Sequence, residues 1–589
     1  TEIYTLSLHD ALPISKAFNA TGSFLYPVGT GTVYHPATIT ITEDPGEWGN
    51  ITVRPVPDYH PFAITGNEVL NYYWKVTSEN FTGIQPGSVS HSFRYASADA
   101  GPSVNSYITG IYNPYGWTPG AAAQVDKINR NILFPSINII DGEYTAGIPG
   151  AFGTVLVFYS HRSGNWDTPS TWSNVSNDPS SPDATSLPGI NNPVVIGDGS
   201  SNNHVITITS NNKSVGGLQI SSGSTLDIQA TTGHDFGALP DLKITGTGTL
   251  RIASANFPSG DFGNFLGSDG GTVEYYTETA PSNIGSAFTL PTTYLAGTAT
   301  KNITTYNNLK ISPATGKNIT FPNTDLLIFR DLNISVSGTS ATGISGFNAQ
   351  NNTRTVTING NLNVNNGNLQ YTNGNSRAQN VLVKGDVNIA SGAVFDVAAS
   401  LSATNTLSIE GSLVNNGIFD MYAGSNQICN VTFTGSENKQ ISGTTAVRTD
   451  FNILTVNKGT DRNSLLDVTV NAFELNPSLP AALVISSGTF RLSSPITITL
   501  TTSNPFTIPI SGCLSANTGT INIGSANNNA ADLILQGKLE VLNTGIVNVG
   551  NGSGSANDIE DAAVGNPEIY VTGGSLNVDG HIRRNTSTT

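Results

Sequence analysis

Residues 355–421 decide the fold. TVTINGNLNVNNGNLQY begins at Thr355, NVLVKGDVNIASGAVFDV at Asn380 and TLSIEGSLVNNGIFDM at Thr406. Each unit reads apolar-x-apolar-x-Gly-x-apolar-x-apolar, then a small turn bearing Gly, then a second alternating run. Later copies start at Leu533 (LILQGKLEVLNTGIVNVG) and Ile569 (IYVTGGSLNVDG). The first glycines fall at Gly360, Gly385, Gly411 and Gly435, steps of 25, 26 and 24 residues, and Gly537 follows 102 residues on, close to four more periods. Gly573 holds the same place in the last unit. A period of this length is the mark of a stacked architecture.

Alternation puts Val356, Ile358, Leu362 and Val364 on one side of the chain, with Asn and Thr on the other. In the next unit Val381, Val383, Val387 and Ile389 fall in phase with them. Runs this short cannot bury their own apolar side, so each unit needs its neighbours. The turn glycines are expected to supply corners with φ > 0. Asn365–Asn366 and Asn415–Asn416 tolerate such corners too, and stacked Asn side chains can hydrogen-bond as a ladder. The reading is an all-β chain whose residues 193–589 form a right-handed parallel β-helix with three short faces. About 16 coils are expected, on the order of 75 Å of rod. In that register Cys429 and Cys513, 84 residues apart, sit about three coils from each other, beyond the ~7 Å reach of a disulfide.

Composition agrees. Lys and Arg number 25 and Asp and Glu 41, a net charge of −16, and charged residues are only 11% against roughly 25% in ordinary soluble domains. An acidic chain is a poor phosphate binder, which excludes nucleic acid as a partner. Parallel coils stack like upon like, so a charged column would repel itself unless its signs alternated. Scarce charge is what such a stack requires. No apolar run reaches 18 residues, so no transmembrane helix or membrane insertion is expected in this segment.

The rest of the chain is organised differently. Residues 1–15, TEIYTLSLHDALPIS, resemble a translated sequencing-library adapter and are set aside as a non-native leader. The sequence ends at HIRRNTSTT directly after a strand-like pattern, so the natural protein is expected to continue. Segment 16–160 carries strand-like alternation at 34–42, 51–54, 72–76, 89–95 and 154–160, separated by Pro- and Gly-rich turns, and reads as a β-sandwich. Residues 161–192, dense in Pro, Ser, Asn and Asp, read as a linker or cap.

Candidate sites are few. Trp166 and Trp172 could form an aromatic platform for a sugar, or cover the open end of the rod's core. Trp48 and Trp117 are candidates for sugar binding in the sandwich; Trp74, inside YYWKV, reads as core. Asp558, Glu560 and Asp561 in NDIED, and Asp167, Asp178, Asp183 and Asp198 around the linker, are the carboxylates that could hold calcium; solvated loops are the plainer reading, and no other cofactor is implied. No catalytic residue is assigned. Asn323–Thr324–Asp325 matches one piece of the polygalacturonase pattern, but Leu326 departs from it and no His lies between His234 and His581. Neither a nucleophile elbow nor a phosphate-binding loop is present in usable context.

The SFLYPVGTGTVYHPATITIT start, the YYWKV strand, GNWDTPSTWS, NNPVVIGDG, LRIASANFPSGDF and GTVEYY together resemble large secreted and cell-surface proteins of Bacteroidota. Those carry a β-sandwich before right-handed β-helix repeats and often end in a type IX secretion sorting domain, so export by that route is implied. The resemblance implies an extracellular or outer-surface location and an adhesin-like, non-enzymatic role, with a polysaccharide or another surface protein as partner. The alternative is a polysaccharide-degrading β-helix enzyme, a lyase or glycoside hydrolase, or its non-catalytic portion. Three or more carboxylates converging with a Lys or Arg in one groove of the rod would favour the enzyme, and a face carrying only Ser, Thr and Asn the structural reading.

Overall fold

The computed structural model describes residues 12–584 except 32, 65–67, 86, 114–115, 138, 153–155, 191, 239–242, 337–342, 348–351, 373–376, 398–402, 425, 503–504, 526–531, 551–556 and 562–563. Two antiparallel sheets come first. One has six strands in the order Ile14–Ala17, Asn50–Val56, Tyr73–Glu79, Gly142–Gly147, Ile108–Asn113, Gly116–Pro119. The other has five, in the order Val125–Asp126, Asn131–Ile137, Val89–Arg94, Ala37–Ile41, Gly22–Tyr26. Alternation such as ATITI over Ala37–Ile41 turns every second side chain inward, and Ile39, Ile51, Trp74, Phe93 and Tyr144 meet between the sheets. Trp74 is fully buried and donates its indole N–H to the His35 carbonyl at 3.0 Å. Ile14 and Ser15, at the end of the stretch set aside as a leader, pair with Val53 and Thr52; residues 1–11 lie outside the described residues.

The boundary falls elsewhere than the sequence reading put it. Phe158–Ser160 does not join the sandwich but pairs in parallel with Pro193–Ile196 and antiparallel with Trp172–Ser173. Gly164–Asn165 likewise pairs in parallel with Val205–Thr207. Residues 158–192 are therefore the first coil of the rod and its cap, held by ladder hydrogen bonds that Pro- and Ser-rich composition does not announce.

Beyond it runs a β-solenoid of about 14 turns. Within one coil, Arg354–Ile358, Leu362–Val364 and Asn368–Tyr371 lie on three faces. Each strand pairs in parallel with the coils below and above, Val356 on Val381, Ile358 on Val383, Leu362 on Val387 and Val364 on Ile389. The expected register is the observed one. There are fewer turns than expected because some coils carry insertions, such as the hairpin Thr293–Ala296/Ala299–Asn302. The interior is one continuous apolar core from Phe158 to Ile559. Along one line an aromatic stack climbs it: Phe321, Phe347, Tyr371, Phe395, Phe419, Phe451, Phe473 and Phe490, each ring 4.5 to 6.4 Å from the next. Both cysteines are buried and unbridged, on strands three coils apart.

The turn glycines meet the expectation only in part. Gly367 and Gly392, in the small turn of their units, have φ > 0, at 75° and 81°. Of the first glycines in each unit only Gly435 and Gly573 do, at 76° and 82°. At Gly385 a Cβ would stand 2.4 Å from Asn361 Oδ1 and 2.5 Å from the Gly360 carbonyl, and at Gly537 it would stand 2.2 Å from the Gly512 carbonyl. The same crowding holds at Gly360 and Gly411. These corners need Gly because coil presses on coil, and φ has little to do with it.

Candidate functional site: a stacked carboxylate column

Outward side chains in a parallel stack stand above one another at roughly 4.8 Å, so each forms a column with its counterparts. On one face the column runs Asp227, Arg251, Glu274, Lys310 through successive coils, with alternating sign. Arg251 bonds Asp227 at 2.8 Å and Glu274 at 2.9 Å, and the Lys310 ammonium lies 3.2 Å from Glu274. The Tyr276 hydroxyl donates to Asp227 at 2.7 Å, beneath the Arg251 guanidinium. Beyond Lys310 the column turns neutral as Asn333, Asn363 and Asn388, each amide donating to the carbonyl oxygen of the one before, at 3.0 and 2.8 Å.

A second face breaks the rule. Asp396 pairs with Asp420, Asp420 with Asp450 and Asp450 with Glu474, four carboxylates in successive coils. Arg448, two residues from Asp450, relieves them in part: it bonds Asp420 at 2.6 Å and lies 3.3 Å from Asp450. Burial, with Asp420 adding repulsion, pushes the Asp450 carboxyl up to about 7 even though Arg448 opposes the shift. Burial likewise pushes Asp396 up to about 6, against a hydrogen bond from Gln370. Asp450 sits half-buried among carboxylates beside Asp420, which Arg448 clamps. Three Asp, one Glu and an Arg thus meet on one side of the rod. Sequence reading missed this column. The recurring Phe-Asp of VFDV and IFDM was the available signal.

The candidates named from sequence are placed as follows. Trp166 and Trp172 are 1% and 0% exposed, edge to face at 4.9 Å, and the Trp172 indole donates to the Trp166 carbonyl at 2.8 Å. They close the rod's core beside Phe158 and Phe236 and offer no ring to a sugar. Trp117 is buried against His60 and Phe152 and donates to the Phe62 carbonyl at 3.0 Å. Trp48 is half-buried beside Phe81 and keeps part of its surface open. Arg583 bonds both Asp558, at 2.9 Å, and Glu560, at 2.7 Å; Asp561 pairs in register with Leu535 and Arg584. Around the cap, Asp167 takes Lys213 at 2.5 Å, Asp183 takes Arg162 at 3.0 Å, and Asp178 and Asp198 accept N–H groups of their own turns. Among the described residues no group of three or more His, Cys, Asp or Glu is arranged to hold a metal ion. A second cluster also escaped the sequence reading: the buried His60 and Glu143 with the half-buried Lys75, in contact at 2.7 and 2.8 Å.

No family model, no curated protein and no solved structure matches this chain.

Proposed function

We propose that this chain is an extracellular or surface-displayed β-solenoid of the adhesin-like kind seen in Bacteroidota, a non-enzymatic rod that carries its N-terminal sandwich and binds glycan or a surface protein. The observation that supports this best is the alternating column from Asp227 to Lys310 and the Asn ladder beyond it. Those outward groups are satisfied by one another, which stiffens a rod and leaves little chemistry for a substrate. The test is to pass the chain over a glycan array and incubate it with a panel of polysaccharides, assaying reducing ends and unsaturated products. Retention of a glycan without product is expected; product release overturns the non-enzymatic reading.

The carboxylate column favours a second reading, a glycan-cleaving β-helix with Asp450 as proton donor and Asp420, held by Arg448, as its partner. Under it, product release occurs and Asp420→Asn abolishes it while the rod still melts as one unit.

A further inference from the structure

The sandwich and the rod enclose a cleft of about 460 Å³, within the ordinary size of small-ligand sites. From the sandwich side it is lined by Lys75, Thr77, Asp141 and Glu143, and from the first coils by Gln219 and Lys243, over a floor that includes Val194 and Leu218. We propose that this cleft seats a neutral oligosaccharide. The inference rests on the glycan-binding reading above and names where the glycan would lie.

Glu143 is only 5% exposed, yet it faces the cleft. His60, itself buried, holds one of its oxygens at 2.7 Å and Lys75 the other at 2.8 Å. Burying a carboxylate is costly unless such partners fix it, and the result is an acceptor held rigid from behind. His60 is in turn wedged against Tyr73, Tyr112 and Trp117, with ring centroids 4.5 to 4.9 Å away. The sandwich wall is thus set before any ligand arrives.

Ligand class follows from the mixture of groups. A pyranose presents an apolar C–H face and a rim of hydroxyls, each both donor and acceptor. The cleft offers an apolar floor, carboxylate acceptors at Asp141 and Glu143, and donors at Lys75, Lys243 and Gln219. Two lysines and two carboxylates balance in the lining, so the cleft favours neither a polyanion nor a polycation. An extended peptide finds no open strand edge: Tyr73–Glu79 lies between Asn50–Val56 and Gly142–Gly147, Pro193–Ile196 between Phe158–Ser160 and Gly217–Ile220, and Gly217–Ile220, last in its sheet, is bridged by Thr245, which bonds Leu218 and Ile220.

The test is calorimetric titration of the whole chain with cello-, xylo-, manno- and maltohexaose. Saturable binding to at least one is expected. Gln219→Ala and Lys243→Ala should each weaken it about tenfold, the loss of one or two good hydrogen bonds. Thr77→Trp, a bulky residue placed at an exposed position of the opposite wall, should abolish it. The melting curves should not move, which separates a lost contact from a lost fold. If the wild type binds and all three variants bind equally well, the seat is elsewhere and the broader glycan reading survives. If none of the four sugars binds but polygalacturonate or a peptide does, and Thr77→Trp blocks it, the ligand class is wrong. If the chain is also blank on the glycan array, the glycan reading falls with the inference.

Discussion

At the scale of the residue, glycine is where stacking acts most directly. Gly385 has no left-handed backbone to protect; what it protects is the contact with Gly360 and Asn361 one coil below. Gly385→Ala must push two coils apart or bend them, and should cost about 1–3 kcal/mol, the usual penalty of overpacking. Gly150 is the control: its φ is ordinary and a Cβ there meets nothing within 4 Å. Gly150→Ala should stabilise by about 0.4–1 kcal/mol through the unfolded chain alone. Urea midpoints of the two variants should move in opposite directions, and movement of both the same way would count against the crowding account. The spacing of these glycines was legible in the sequence. Their reason was not, because a single chain's pattern shows recurrence and not what lies one coil away.

At the scale of the element, the column is the unit of stability, as the cross-strand pair is in any sheet. Asn363 both donates to Asn333 and accepts from Asn388. Asn363→Ala breaks both bonds and should lower stability by about 1–2 kcal/mol, read as a shift of the rod's unfolding midpoint with the sandwich unaffected. Strands with clean alternation were legible, as at Ala37–Ile41 and Leu362–Val364. Those without it were not: Ile108–Asn113 buries Thr109 to Tyr112 consecutively, since Ile111 packs in the sandwich core while Tyr112 packs in a second cluster with Trp117 and Phe152, so both faces are covered and the period-two signal is lost. The carboxylate column was hidden for another reason. Asp396, Asp420 and Asp450 are 24 and 30 residues apart, because the added pairing of Tyr422–Gly424 with Gln427–Phe433 lengthens one coil and breaks the period that would align them. In that column the rule of alternating sign fails, which is why the column and not the Asn ladder is the place to look for chemistry.

At the scale of the whole molecule, the rod's apolar core is separate from the two clusters of the sandwich, which implies two cooperative units, one for the sandwich and one for the rod. His91 in one and the Asp450 column in the other answer acid in opposite ways. In the sandwich, His91 is buried with neither ring nitrogen hydrogen-bonded, and burial holds its imidazole down to about 3. The unfolded chain takes up that proton near pH 6.5, the folded one does not, so this contribution is intact above about pH 6.5 and is lost as pH falls toward 3. In the rod, Asp450 and Asp396 are held up to about 7 and 6. Their folded forms keep protons that the unfolded chain has released above about pH 4, so the penalty is full above pH 7 and is relieved as pH falls toward 4. His234, in the first coils, opposes this within the rod, its imidazole held down to about 4 by burial and Lys213. Variants therefore isolate each effect better than the wild type does. His91→Phe should raise the sandwich transition more at pH 5 than at pH 8, by about 2 kcal/mol, the 1.5-unit interval between pH 6.5 and 5 converted at 1.36 kcal/mol per unit. Asp450→Asn should raise the rod transition more at pH 8 than at pH 5, by about 1 kcal/mol once its partial exposure is allowed for. Scanning calorimetry at the two pH values reads both. A gain for Asp450→Asn that is larger at pH 5 would mean that Arg448 overcomes both burial and the neighbouring carboxylates, and the column would then be an ordinary ion-pair network with no proton to give.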